Sequence, residues 1–159
     1  MIEHEFALTH YRTGNVALDT GDYPLAVGEF TLALEGAPDH TPTRFALAKA
    51  KCMVQDYAGA LSLINQILTE VPKHPGALLY YVRILGVTEQ WNLLAHICTD
   101  AVLSVSGEVR FWLALALAET DRLEQARSVY ESIRKSMRNR NAALDKRVSS
   151  VLASRSDPA

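Results

Sequence analysis

The chain of 159 residues is poor in the features that mark exported and membrane proteins. Its two cysteines, Cys52 and Cys98, lie outside any C-x-x-C pair and are too few for a disulfide framework. No apolar run approaches the roughly 18 residues of a membrane span. The first residues carry Glu3 and Glu5 where a secretory signal would carry Lys or Arg. We therefore expect a cytoplasmic protein with no membrane span.

An excess of positive charge is also missing, since the formal net charge is −2. Domains that bind nucleic acid usually carry a strong basic excess, so we expect no nucleic-acid partner. The most basic stretch is residues 134–147, with six cations against Asp145 alone. It fits either a solvated helix end that complements the helix dipole or a docking patch for an acidic partner.

Sequence patterns of catalysis and metal binding are absent. The H-E-x-x-H and G-x-S-x-G patterns, the P-loop and the dinucleotide fingerprint do not occur. The five histidines include no i, i+4 pair that stands together with a carboxylate or a thiol at metal-ligand spacing. We predict that the protein is not an enzyme and holds no cofactor or metal. His40 and His74 are expected to be ordinary loop residues.

What the chain does have is an internal repeat with an offset of 34 residues, a period that should be sought before any local assignment. A two-residue deletion near the end of the third unit brings a fourth unit into register. The aligned columns are Gly14, Ala48, Val82 and Ala114; Tyr23, Tyr57, Trp91 and Leu123; Ala26, Ala60, Leu94 and Ala126; Phe30, Ile64, Cys98 and Tyr130; and Pro38 and Pro72.

The apolar spacing predicts nine helices. Two starts have capping signals: Thr41 precedes Pro42, and Asp121 with Glu124 resembles a capping box at the place where Asp22 and Asp56 stand in earlier units. The small columns should let the two helices of a unit approach closely. The predicted ranges are 3–19, 22–35, 41–54, 57–70, 75–87, 90–103, 107–119, 122–137 and 141–153.

The period and its small–aromatic–alanine–proline columns resemble the tetratricopeptide repeat (TPR) family, whose unit is a helix–turn–helix of 34 residues. The resemblance covers about residues 7–140. It implies an all-α fold, a right-handed superhelical solenoid of antiparallel helix pairs, in a single domain over residues 1–159. The implied repeats are 7–40, 41–74, 75–106 and 107–140, followed by a capping helix over 141–153, since solenoids need terminal caps.

In this family the first helix of each unit lines a concave groove that binds ligands. Carried over by column, the resemblance implies a polar row of Asn15, Lys49 and Arg83 and further apolar positions. It also implies an aromatic ladder of Tyr11, Phe45, Tyr80, Phe111 and Trp112. The expected partner-binding residues are Tyr11, Arg12, Asn15, Phe45, Lys49, Met53, Leu79, Tyr80, Arg83, Phe111, Trp112 and Leu115, with Leu8, Leu18, Cys52, Val87 and Glu108 beside them.

We therefore predict an adaptor that holds a peptide segment of another protein, acidic in character and with apolar anchors, because aromatics and Arg dominate recognition energies. The aromatics could equally be packing between repeats, and the cations a solvated face. A subgroup of the family clamps the terminal carboxylate of chaperone tails, but only Asn15 matches its clamp, so that mode is not expected. Two alternatives stay open: a dedicated chaperone resembling the translocator class of type III secretion, and a scaffold that forms homo-oligomers.

Overall fold

The computed structural model describes residues 2–155, and every regular element in that range is a helix. Their order follows the predicted repeat, except that the second helix of the third and of the fourth repeat is in two pieces, and a final helix follows. The elements are α1 (Ile2–Thr20), α2 (Tyr23–Gly36), α3 (Thr41–Met53), α4 (Tyr57–Glu70), α5 (Pro75–Val87), α6 (Trp91–Ile97), α7 (Asp100–Leu103), α8 (Glu108–Glu119), α9 (Leu123–Glu131), α10 (Lys135–Arg140) and α11 (Ala142–Ser154).

The chain divides into two compact units, Met1–Tyr80 and Tyr81–Ala159, and the division falls within α5. The expected organisation as one superhelical domain stays a prediction. None of the helices in residues 2–155 is long and apolar enough to cross a membrane.

The first compact unit, Met1–Tyr80, is built from helix pairs that approach closely. α1 packs on α2, α2 on α3 and α3 on α4. Ala26 and Ala60 are fully buried at these contacts, and Phe30 is buried in the same core. Gly14 faces Phe30 so closely that a Cβ at position 14 would lie 2.7 Å from the ring. The small columns are therefore the contacts that set the spacing of the helices.

The second unit is arranged around α8. This helix packs against α6, α9 and α11 at once, and every residue from Phe111 to Ala118 is buried. Val148 and Leu152 of α11 are buried as well. The segment expected to cap the array is thus a helix that packs on α8, and together with α6 and α9 it encloses that helix.

A left-handed turn ends the first helix of all four repeats. In each, the next residue donates a backbone hydrogen bond of 2.8 Å to the carbonyl five residues earlier, which is the Schellman arrangement. Glycine occupies the turn once, and three other residues accept a positive φ there, which is uncommon for a residue with a side chain. These positions are 34, 34 and 32 residues apart: Gly21, Gln55, Glu89 and Asp121.

Two of the predicted helix caps are confirmed and two are wrong. Asp22 and Asp56 each accept a hydrogen bond from a backbone N–H three residues later, at 3.2 and 3.0 Å. Asp121 is not a cap, because the deletion places it one position earlier, in the left-handed turn, where it accepts from Arg155 at 2.7 Å. Thr41 lies inside α3, and the residue before the helix is His40.

Two predicted helices are each broken in two. The helix expected over 90–103 ends at Ile97 and resumes at Asp100, because Cys98 and Thr99 leave helical geometry in a run of low helix propensity. The helix expected over 122–137 ends at Glu131 and resumes at Lys135. There Ser132 donates its hydroxyl to the Val129 carbonyl at 2.6 Å, a bond that competes with the helical pattern.

Replacing Ala60 with leucine should lower the free energy of unfolding by about 1–3 kcal/mol, because the added volume has no space at a fully buried contact between helices. Urea unfolding followed by circular dichroism measures the change. The matched control is Ala58→Leu, at an exposed position of the same helix. Equal effects of the two substitutions would contradict this account of the contact.

Candidate functional site

Contacts between an aromatic ring and a histidine ring recur at equivalent positions of the first compact unit. Tyr11 of α1 meets His40 edge-on, with ring centroids 5.5 Å apart. One period later Phe45 of α3 lies 5.2 Å from His74. Tyr80 of α5 then meets Phe45 edge-on at 5.6 Å. We call these five residues the ring ladder, and the two repeated pairs show that equivalent positions make equivalent contacts.

A glycine sets the position of the central ring of the ladder. Phe45 lies across the backbone of Gly76 at the start of α5, and a Cβ at position 76 would lie 2.5 Å from the tip of the ring. His74, just before α5, accepts the backbone N–H of Ala77 through Nδ1 at 3.1 Å. Its imidazole is therefore fixed by the helix start at the same time as it contacts Phe45.

The predicted polar row has two members in this unit. The Lys49 ammonium lies 5.4 Å from the centre of the Phe45 ring, and within residues 2–155 no carboxylate is at ion-pair distance from it. Asn15 donates one of its two amide N–H groups to the Tyr11 carbonyl at 2.9 Å. Arg12 is exposed beside it on α1.

A small cavity of about 50 Å³ opens beside the first rung of the ladder. Leu8 and Tyr11 line it from α1, and His40 lines it from the start of α3 together with Thr43, whose hydroxyl is 2.6 Å from His40 Nδ1. Leu8 is 38% exposed. Met53, further along α3, is 50% exposed. Apolar groups therefore lie open to solvent near both rungs that α1 and α3 provide.

The predicted site residues of the second unit are placed differently. Phe111, Trp112 and Leu115 lie in the core, because α11 and α6 cover α8 from two sides. We expected these side chains to line a groove, and they instead hold the unit together. Of the remaining residues, Leu79 is half-buried in the first unit and Arg83 is half-buried in the second.

Arg83 makes a two-pronged ion pair with Glu108. Its Nε and Nη2 donate to the two carboxylate oxygens at 2.8 and 2.7 Å, and Trp112 Nε1 donates to one of them at 3.0 Å. The hydrogen bond from Arg83 lowers the pKa of the Glu108 carboxyl, with a smaller contribution from Trp112, although burial alone would raise it. This cation of the polar row is therefore engaged within its own unit.

The ladder includes two residues that the sequence analysis treated as loop residues, His40 and His74. The signal for their role was present, because they stand one period apart and each immediately precedes the first helix of a unit. Their contact with the aromatic column could not be seen without the packing of those helices.

The described residues offer no metal-binding group: within 2–155 no three His, Cys, Asp or Glu side chains could hold an ion together. Burial raises the pKa of the Cys98 thiol to about 11, so that thiol is protonated at neutral pH and is a poor nucleophile. The chemistry that the ladder supports is apolar, aromatic and cationic contact with a ligand.

Comparison with known proteins identifies the fold. No protein-family model and no curated protein sequence matches the chain. The chain is similar to a solved structure described as the TPR2B-domain:pHsp70 complex of yeast Sti1, with a TM-score of 0.54 and 16% sequence identity. The match covers 92% of this chain and 98% of that one. The predicted all-α, TPR-like fold is thereby confirmed.

Replacing Glu108 with glutamine should destabilise the protein by about 1–2 kcal/mol at neutral pH, since it removes a charge-assisted pair that solvent screens at Arg83. A carboxyl whose pKa is lowered by folding stabilises the folded state at pH values above its unfolded-state pKa, which is about 4.3. This stabilisation is lost as the pH falls through the folded-state pKa. The difference in unfolding free energy from wild type should therefore shrink below about pH 4.

Urea titrations at several pH values measure this difference. Glu124→Gln, at an exposed glutamate of α9, is the control and should change little at any pH. A deficit for Glu108→Gln that stays constant down to the acid limit would exclude the proposed role of the charge.

Proposed function

We propose that the protein is an interaction module that binds a segment of another protein along the ring ladder of its first unit. The observation that carries the proposal is the repeated pair: Tyr11 with His40, and Phe45 with His74 one period later. Both aromatic rings are only half-buried. A row of partly open rings at a fixed spacing suits a partner that is itself extended or helical.

Apolar contacts would supply most of the affinity. Leu8 and Tyr11 are three residues apart on α1, and Phe45 and Met53 lie two turns apart on α3, so each pair shares a helix face. Exposed Leu8 and Met53 extend the ladder with flexible apolar groups. Aromatic anchors with apolar neighbours are the usual sources of binding energy at protein interfaces.

Positive charge favours an acidic segment. Lys49 lies over a ladder ring without a carboxylate partner in the described part of the chain, and Arg12 is exposed on α1 beside Tyr11. Each exposed ion pair with a ligand would add only ~0.2–1 kcal/mol. The cations would thus orient the segment, and the rings would hold it.

The fold neighbour supports the general class of function. That structure is of a TPR domain in complex with pHsp70. That neighbour shares 16% sequence identity with this chain, so we take from it the class of partner and not its identity. Acidic peptides with aliphatic or aromatic side chains are the ligands that the ladder of this chain suits best.

The test starts from peptides of random sequence. Twelve-residue peptides displayed on phage are selected on the immobilised full chain, and recovered peptides are measured by isothermal titration calorimetry. We expect recovered sequences to contain apolar residues together with Asp or Glu. Tyr11→Ala should weaken their binding about tenfold or more because an aromatic anchor is lost, and Lys49→Glu about 3- to 10-fold.

The matched control for charge is Lys73→Glu, an equal reversal at an exposed loop residue. Thermal unfolding of each variant shows whether the fold is intact. Recovered peptides without acidic residues, whose binding ignores Lys49→Glu, would reject the acidic preference. Binding that also ignores Tyr11→Ala would reject the ladder as the site.

A further inference from the structure

We propose that the second unit carries a separate anion site, a cavity between the start of α8 and the break between α9 and α10 that binds a phosphomonoester group. The cavity has a volume of about 420 Å³, many times the ~30 Å³ that one water occupies. The residues that line it are Gly107, Arg110, Ser132, Ile133, Arg134, Ser136 and Met137. We call it the arginine cavity.

Two arginines from different elements line the arginine cavity. Arg110 lies in the first turn of α8, and Arg134 is a residue of extended backbone between α9 and α10. Within residues 2–155, no carboxylate lies at ion-pair distance from either one. Both side chains are exposed, so their charge is available to a ligand. Planar guanidinium groups match the oxygens of a phosphate in pairs.

Hydroxyl groups complete the polar lining. Arg110 Nη1 donates to Ser132 Oγ at 3.3 Å, so the arginine is held toward the cavity by a weak neutral acceptor that an anion could replace. Ser136 lines the cavity with a second hydroxyl. Two arginines and two serines give a mixed set of charged and neutral donors, which suits a phosphate with several oxygens better than a single carboxylate.

The cavity is shaped by a glycine and an apolar wall. Met137 lies against Gly107 so closely that a Cβ at position 107 would collide with the methionine methyl group. Ile133, the buried residue of the helix break, lies on the same lining. The missing side chain at 107 leaves room for Met137 to pack there, and the interruption of the predicted helix places Ile133 and Arg134 on the same lining.

The surrounding charge attracts anions. Lys135 is exposed next to Arg134, in the basic stretch of residues 134–147. Arg138 of that stretch is engaged elsewhere: it lies 4.2 Å from the Tyr130 ring and donates to the Tyr130 carbonyl at 2.9 Å. Within this stretch Arg134 therefore belongs to the anion site that we propose, whereas Arg138 is held against Tyr130.

The experiment titrates the ¹⁵N-labelled full chain with inorganic phosphate, with chloride at equal ionic strength as the reference. Parallel arms use a phosphoserine peptide and the same peptide with serine. We expect saturable amide shifts at Gly107, Arg110 and residues 132–136. Binding should be tighter at pH 7.5 than at pH 5.5, because the second ionisation of a phosphomonoester has a pKa of about 6.

The decisive variant is Arg110→Gln with Arg134→Gln, which should weaken binding at least tenfold. Its control is Arg140→Gln with Lys146→Gln, an equal loss of charge at exposed positions of the same stretch outside the lining. The control should stay within twofold of wild type. Gly107→Ala, which forces Met137 to move, should also change the affinity while circular dichroism shows an intact fold.

The site is supported if binding saturates and is lost in the decisive variant. Saturation by inorganic phosphate, or by the phosphoserine peptide alone, then shows which source of the phosphate group the site takes. Shifts spread over residues 134–147 that weaken equally in both double variants would show diffuse charge attraction and overturn the proposal. So would the absence of saturable shifts with either ligand. Because the arginine cavity and the ring ladder share no residue, this result is independent of the peptide-binding test.

Discussion

Close approach of paired helices is the constraint on which this fold depends. In the first two repeats the helices of a pair approach closely where a side chain of one or no carbon atoms lies between them, as at Gly14, Ala26 and Ala60. Volume at such contacts cannot be absorbed, because protein interiors are already close-packed. In the third repeat Leu94 stands in this column and is itself fully buried, so that repeat packs around a larger side chain.

The cover of α8 by α11 decides which residues remain available for binding. Once α8 is enclosed, Trp112 needs an acceptor for its indole N–H, and Glu108 provides it. A half-buried carboxylate in turn needs a cation, and Arg83 provides two hydrogen bonds. One member of the predicted polar row is thus engaged with the second unit's own core, whereas Lys49 is left to contact an aromatic ring.

The two candidate binding surfaces arise from opposite properties of the repeat. The ring ladder exists because the repeat is regular: equivalent positions bring an aromatic and a histidine together twice. The arginine cavity exists because the repeat is interrupted at Ser132–Arg134, where the chain leaves helical geometry and turns charged side chains toward one space. Departures from a repeat pattern are therefore places to look for a second function.

By itself the amino-acid sequence determined the repeat, the TPR-like fold and the course of α1 to α5, because apolar periodicity and the caps at Asp22 and Asp56 involve residues within a few positions of each other. It did not determine that the later helices break after Ile97 and Glu131. It could not determine the burial of Phe111 and Trp112 or the entry of His40 into the ladder. Those outcomes depend on contacts between residues far apart in the chain, such as α11 on α8. Tertiary packing alone decided which faces of the helices stay open.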